Sequence, residues 1–341
     1  MTNWPDARLW LAFAGAGTGI WIGGTALAQA ADDLAERLGI TQALVGLLLL
    51  SVATSLPEIA TTLSGAIQGE AEMVVGNLFG GVTLQTAILA VADVWARGAI
   101  SGYPRQADHV LEASVLIGML AVGLVAIASG EPLAAGHVGA GAIGAGLAYV
   151  GAVVLLRRSD VARAWVPVDI PDPGEAEPLL SRDRPELPVL AFRIALCSAA
   201  ILVLGLVLIA VARPLADRSG LGTGLLGVTL LAGATSLPEL TTTIAAVRLR
   251  AYGLAISNVF GSNLIMLGLL LPADLLYRPG PILRDAGVVP TLSVGFGILV
   301  TAIYLIGLTT RSSPRVGRIG IDSLAVLGCY ALSLAVYWVA R

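Results

Sequence analysis

Apolar runs of about 20 residues, separated by short polar breaks, recur along the whole chain, and each run is apolar on every side rather than on one face. They fall near 9–31, 41–66, 73–94, 110–128 and 135–156, and again near 190–212, 222–247, 253–272, 287–309 and 319–340. Each is long enough to cross a ~30 Å hydrocarbon core as a helix, whereas barrel strands would be ~10 residues of alternating character. The pattern predicts an all-α membrane protein with ten transmembrane helices. Only Arg8 precedes the first run, which has no small-residue cleavage site and outlasts a signal h-region, so it is expected to remain as a membrane helix.

Composition agrees: 56% of residues are hydrophobic, 13% are charged and the mean hydropathy is +0.86, too apolar to cover a soluble surface. The net charge of −3 carries no basic patch, which excludes nucleic acid as a partner and leaves the lipid bilayer. All 20 basic residues are arginine, and alternating ten spans puts 14 of them on one side. The positive-inside rule makes that side cytoplasmic, with both termini periplasmic or extracellular, as for a multi-pass inner-membrane protein. Trp4, Trp10, Trp95, Trp165 and Trp338 fall near span ends, as interfacial anchors. Cys197 and Cys329 lie inside spans without metal spacing, so packing is their expected role. His109 and His137 sit near span ends, where a solvated or capping role is expected.

Residues 34–93 align without a gap on 215–274, 181 positions later, with 22 of 60 positions identical. Five spans lie in each unit, an odd number, so the second unit enters the membrane from the opposite side and the repeats are inverted. The chain therefore divides into a first five-helix repeat at 1–156, a cytoplasmic linker at 157–189 rich in Arg, Asp, Glu and Pro, and a second five-helix repeat at 190–341. Inverted repeats supply the related inward and outward states of a transporter around a midplane site.

The longest identical block, Ala-Thr-Ser-Leu-Pro-Glu, places Glu58 and Glu239 in the second and seventh spans. A carboxylate near the bilayer centre costs at least ~2.5–3.5 kcal/mol, so neither is there to help insertion. Pro57 and Pro238 each remove a helical donor and clash with the carbonyl four residues earlier, at Ala53 and Ala234, so helices 2 and 7 should be broken. Freed carbonyls, the hydroxyls of Thr54, Ser55, Thr235 and Ser236, and two carboxylates give oxygen donors for a hard cation. Ca²⁺ takes 6–8 oxygens at ~2.3–2.6 Å, and neither helix carries the histidine or cysteine that zinc or copper would need. Two facing carboxylates repel when the divalent ion leaves, so a proton or monovalent cation competes for them, which is the basis of antiport. No arginine stands in the middle of a span to pair with either glutamate. Asp93 and Asp274, another matched pair, end their spans and suggest an interface or ion access.

The block Ala53–Glu58 followed by Gly76-Asn77-Leu78-Phe79-Gly80-Gly81, and its counterpart Ala234–Glu239 followed by Ser257-Asn258-Val259-Phe260-Gly261-Ser262-Asn263, closely resemble the two α-repeats of the cation/Ca²⁺ antiporter superfamily, particularly its sodium/calcium exchangers. The resemblance implies a transporter rather than an enzyme, with no cofactor, that exports Ca²⁺ in exchange for Na⁺ by alternating access. It implies that Glu58 and Glu239 are shared by Ca²⁺ and Na⁺, that Thr54 and Thr235 help bind Ca²⁺, that Ser55 and Ser236 serve Na⁺, and that carbonyls at Ser51 and Ala232 contribute. Asn77, Asn258, Ser262 and Gln85 of the following spans complete the expected set. The pattern departs at Gly81, where the family carries serine, and at Met266, where it often carries aspartate or asparagine. These losses leave a proton-coupled Ca²⁺ antiporter as the alternative, and a passive cation channel, which lacks a reason for inverted repeats, as a more distant one.

Overall fold

The computed structural model describes residues 4–104, 107–162, 185–218, 233–311 and 314–340. Among these, eight helices are long and apolar enough to span a membrane, and the bent pair Gln42–Thr54 and Leu56–Ile67 makes a ninth span. The helices are α1 (Asp6–Leu38), α2 (Gln42–Val45), α3 (Ser51–Thr54), α4 (Leu56–Ile67), α5 (Ala71–Ala92), α6 (Asp108–Ser129) and α7 (Ala140–Ala162). They continue as α8 (Leu187–Arg218), α9 (Leu237–Arg248), α10 (Tyr252–Gly268), α11 (Leu270–Leu276), α12 (Val288–Thr310) and α13 (Ile321–Val339). Of the seventh expected span, near 222–247, only the part from 233 onward is described, and most of the expected linker falls outside the described residues.

Helices α5 and α10 form the buried centre, with α6 and α12 packed against them and α7 alongside α6 and α10. Outside this bundle α1 lies along α8 and α9. Both α1 and α8 exceed their expected spans: they have 33 and 32 residues, about 50 Å each, and continue past the apolar run through turns rich in Ala, Leu, Arg and acids, α8 doing so despite Pro214 near its end. Helix α1 stops where Gly39 adopts φ 64°, and its N–H caps the carbonyls of Ala35 and Glu36. Close approaches depend on glycine: a Cβ on Gly205 of α8 would meet the Pro57 ring at 2.6 Å, and one on Gly46 would meet the Leu254 carbonyl at 2.9 Å.

Two elements depart from the expected spans. Residues expected to open the fifth and tenth helices instead form two-stranded hairpins, β1 (Ala134–Ala135) with β2 (Val138–Gly139), and β3 (Arg315–Val316) with β4 (Ile319–Gly320). Their turns use Gly136 (φ 69°) and Gly317 (φ 64°), and the two hairpins lie 181 residues apart. Each hairpin is held by a buried aspartate of the other half of the chain. Asp274 accepts the N–H of Gly139 at 2.7 Å and of Ile282 at 2.6 Å, while Asp93 accepts those of Gly320 at 2.6 Å and Ile100 at 2.8 Å. These aspartates, expected as interface or access residues, are fully buried acceptors of backbone amides.

Candidate cation-binding site

The second span is interrupted twice. A π-helical turn at Gly46–Leu50 precedes α3, and the axis then bends by 54° at Ser55 before α4 begins. Pro57 sits at the second position of α4 and Pro238 at the second of α9, where a missing N–H leaves no intrahelical bond unmade. Ser55 (φ −82°, ψ 4°) and Ser236 (φ −91°, ψ 8°) take up the corners in the bridge region of backbone space. Glu58 and Glu239 thereby come to lie in the first turn of a helix, where free N–H groups and the helix dipole favour negative charge.

The two glutamates are 1% and 0% exposed and within electrostatic reach of each other. Ser55 Oγ donates to Glu239 Oε1 across the two halves at 3.3 Å. Thr54 Oγ1 lies 3.2 Å from the Ser51 carbonyl and 3.5 Å from Asn258 Oδ1, and the Asn258 amide donates to Thr242 at 3.0 Å and Thr243 at 3.2 Å. Ser262 Oγ reaches the same Ser51 carbonyl at 3.5 Å, and a Cβ on Gly261 would meet Ser51 Oγ at 2.8 Å, so α10 runs directly against the broken span. Thr54, Ser55, Ser51, Asn258, Ser262 and Glu239 thus form one connected cluster. Thr235 and Ser236 are buried at the second corner. Ala232 lies outside the described residues.

Both Glu58 carboxylate oxygens and Glu239 Oε2 are buried with no hydrogen-bond partner among the described residues. No arginine or histidine among the described residues forms an ion pair with them. Buried polar atoms are almost always satisfied, and an isolated buried carboxylate is far costlier than a neutral group. Three such oxygens beside hydroxyls make a donor set whose chemistry fits a hard cation or a proton.

Other expected residues stand apart from this cluster. Asn77 is half-buried and faces Thr62 at 3.5 Å, the counterpart of the Asn258–Thr243 contact. Gln85 is fully buried, with neither amide atom bonded among the described residues. Its counterpart Met266 places its methyl group where a Cβ of Gly81 would be. Sequence reasoning gave no role to Asn263, which is fully buried, with its amide facing Thr86 at 3.4 Å and its Oδ1 without a partner among the described residues; its signal was its place beside Ser262 at the end of the second matched block. His109 also differs from expectation. It is not a solvated cap but is 3% exposed, 3.0 Å from both Glu112 Oε2 and Ser257 Oγ, because α10 packs over the start of α6. His137, by contrast, meets the Leu275 carbonyl at 3.2 Å at the end of α11, as a cap should.

Residues 8–156 and 189–339 match the sodium/calcium exchanger protein family, which covers both halves of the chain and both corners of the site. The chain belongs to that family. Membership makes it a multi-pass membrane protein and a cation antiporter. The chain is similar to the inner membrane protein YrbG of Escherichia coli strain K12, with 26% identity over 323 residues and 92% of each chain covered. Over 52 residues, 15% of each chain, it is 35% identical to the sodium/calcium exchanger MaX1 of Methanosarcina acetivorans. Its fold is that of the sodium-calcium exchanger NCX_Mj soaked with Na⁺ and Sr²⁺, with a TM-score of 0.71, 17% identity, and 97% and 99% of the two chains covered.

Proposed function

We propose that this exchanger moves Ca²⁺ out of the cytoplasm in exchange for Na⁺, by alternating access around Glu58 and Glu239. In this reading ten membrane helices form two inverted five-helix repeats, 1–156 and 190–341, with helices 2 and 7 broken at Ser55 and Ser236. The protein sits in the inner membrane with both termini on the periplasmic side and the linker 157–189 in the cytoplasm. The observation that carries the proposal is the meeting of the two matched halves at one point. Ser55 of the first half donates to Glu239 of the second, beside three carboxylate oxygens with no partner among the described residues. Ca²⁺ would draw on both carboxylates, on Thr54 and Thr235, and on the Ser51 and Ala232 carbonyls. Monovalent ions would draw on the same carboxylates with Ser55, Ser236 and Ser262, while Asn77, Asn258 and Gln85 support the surrounding helices or supply outer donors.

Proton coupling is the second reading, favoured by the Met266 methyl lying over Gly81, which removes oxygen from a place that would serve Na⁺. Inside-out membrane vesicles separate the two. ⁴⁵Ca²⁺ uptake driven by an outward Na⁺ gradient at fixed pH is expected. Uptake driven by a pH gradient alone would replace Na⁺ by H⁺, and currents at fixed potential without any counter-ion requirement would indicate a channel.

A further inference from the structure

Two turns in the second half of the chain carry arginine where the matched turns of the first half carry glycine. Among the described residues, the non-glycine residues with positive φ are Glu131, Arg250 (φ 63°) and Arg311 (φ 56°). The positions matched to the two arginines, 181 residues earlier, are Gly69 (φ 78°) and Gly130 (φ 71°), so both halves make the same left-handed turns. Glycine makes such a turn without strain, and a residue with a Cβ does not. The backbone therefore gives no reason for arginine at either place, and the reason lies in the side chains.

Both side chains reach one loop, residues 93–102, which follows α5. Arg250 Nη1 donates to the Trp95 carbonyl at 3.1 Å, and Arg311 Nη2 donates to that of Gly102 at 2.9 Å. Arg315, on β3, donates to the carbonyls of Arg97 at 2.6 Å and Ala96 at 3.3 Å, and to that of Arg318. Arg97 and Arg318 are themselves exposed. Five arginines thus gather at this loop, whereas the positions matched to Arg97, Arg250, Arg311, Arg315 and Arg318 hold Arg278, Gly69, Gly130, Ala134 and His137. Membrane orientation asks for positive charge on one side, but not for arginine at left-handed positions or for its convergence on a single loop.

Carbonyls hold these guanidinium groups in place without neutralising them. Among the described residues, none of Arg97, Arg311, Arg315 and Arg318 lies within ion-pair distance of a carboxylate. Asp93, the acid of this loop, commits its oxygens to the amides of Gly320 and Ile100. The loop and the adjoining hairpin also expose Trp95 (43%) and Val316 (62%), just beyond the ends of α5 and α12, where amphipathic rings sit at headgroup level. An anionic lipid answers both features: its phosphate suits the guanidinium fork, and its acyl chains cover the apolar side chains.

We infer that this loop is a binding site for the phosphate-bearing headgroup of an anionic lipid. The inference goes beyond exchange and depends neither on the coupling ion nor on which face is cytoplasmic. The test is thermal unfolding of the full-length protein in detergent at about 50 mM salt, with phosphatidylglycerol, phosphatidylcholine or inorganic phosphate added at equal concentration. Phosphatidylglycerol is expected to raise the midpoint by about 3 °C or more above phosphatidylcholine, and to lose most of that increment at about 0.5 M salt. Inorganic phosphate is expected to give no increment. The double variant Arg250→Gly/Arg311→Gly keeps both turns, as Gly69 and Gly130 do, and should lose about half or more of the phosphatidylglycerol increment. Arg97→Gln/Arg318→Gln changes only exposed side chains and should show a similar loss, so it decides the matter if the glycine variant does not fold. Equal increments from the two lipids, an equal increment from inorganic phosphate, or a full increment in either folded variant would overturn the inference.

Discussion

Asp93 Oδ2 accepts the backbone N–H of Gly320 at 2.6 Å across 227 positions of sequence. The residue matched to it by the 181-residue offset, Asp274, does the same for Gly139, so each half of the chain holds the other's hairpin. A charged acceptor that satisfies two buried amides contributes more than a neutral one, since a hydrogen bond to a charged group is worth ~1.5–3 kcal/mol. Asp93→Asn and Asp274→Asn keep one acceptor oxygen and should each destabilise the protein by about 1–3 kcal/mol. Thermal unfolding in detergent checks this. An unchanged midpoint in both variants would reduce these contacts to bystanders.

The glutamates should behave in the opposite way. Glu58→Gln or Glu239→Gln removes a buried charge that has unbonded oxygens, so neither should lower the unfolding midpoint, and both should abolish counter-ion-dependent ⁴⁵Ca²⁺ flux. Ca²⁺ transport surviving in either variant would eliminate the two-carboxylate site.

Ser55 gives a graded test of contact between the halves. Ser55→Ala deletes the donor to Glu239 Oε1 without altering charge, so the apparent affinity for the monovalent counter-ion in the flux assay should weaken by about 10-fold or more. Thr61→Ala, which loses only hydroxyl contacts to carbonyls of its own helix, is the control and should leave affinity within about twofold. Equal effects in the two variants would contradict a specific role for the Ser55–Glu239 bond.

A pH effect on stability should come from Glu131, in the loop after α6. Burial raises its carboxyl above the ordinary 4.5, partly offset by the N–H groups of Gly141 and Ala140. The folded state therefore holds this proton more tightly than the unfolded state, so the group's contribution is greatest at low pH and is lost as pH rises from about 4.5 through the raised value. Glu131→Gln should remove that component. Unfolding midpoints measured from about pH 4 to 8 would show it as a shallower decline in the variant, and parallel curves would assign the pH dependence elsewhere.

Among the described residues, nine membrane spans and the break in the second were legible because bilayer thickness and proline act locally along the chain. Glu58 and Glu239 stood out because charge in an apolar run is costly. The partners of Asp93 and Asp274 were not legible, since a backbone amide leaves no mark in the sequence and Gly139 and Gly320 belong to runs that read as helix. His109 was misjudged for a related reason. Position near a span end suggested solvent, but the start of α10 covers it. Gly81 and Met266 were visible as departures from the family pattern, yet their contact is a fact of packing between two helices.

The Pro57 ring sits in the notch left by Gly205, so the corner of the second span bears directly on α8. That helix has 32 residues and runs beside α1 for much of its length. A notch with no room for a Cβ leaves no clearance between tooth and gear: a shift of the corner at Ser55 would push or release a rod about 48 Å long. Any change of angle at that corner would have to be taken up by the α1–α8 pair along the flank of the bundle.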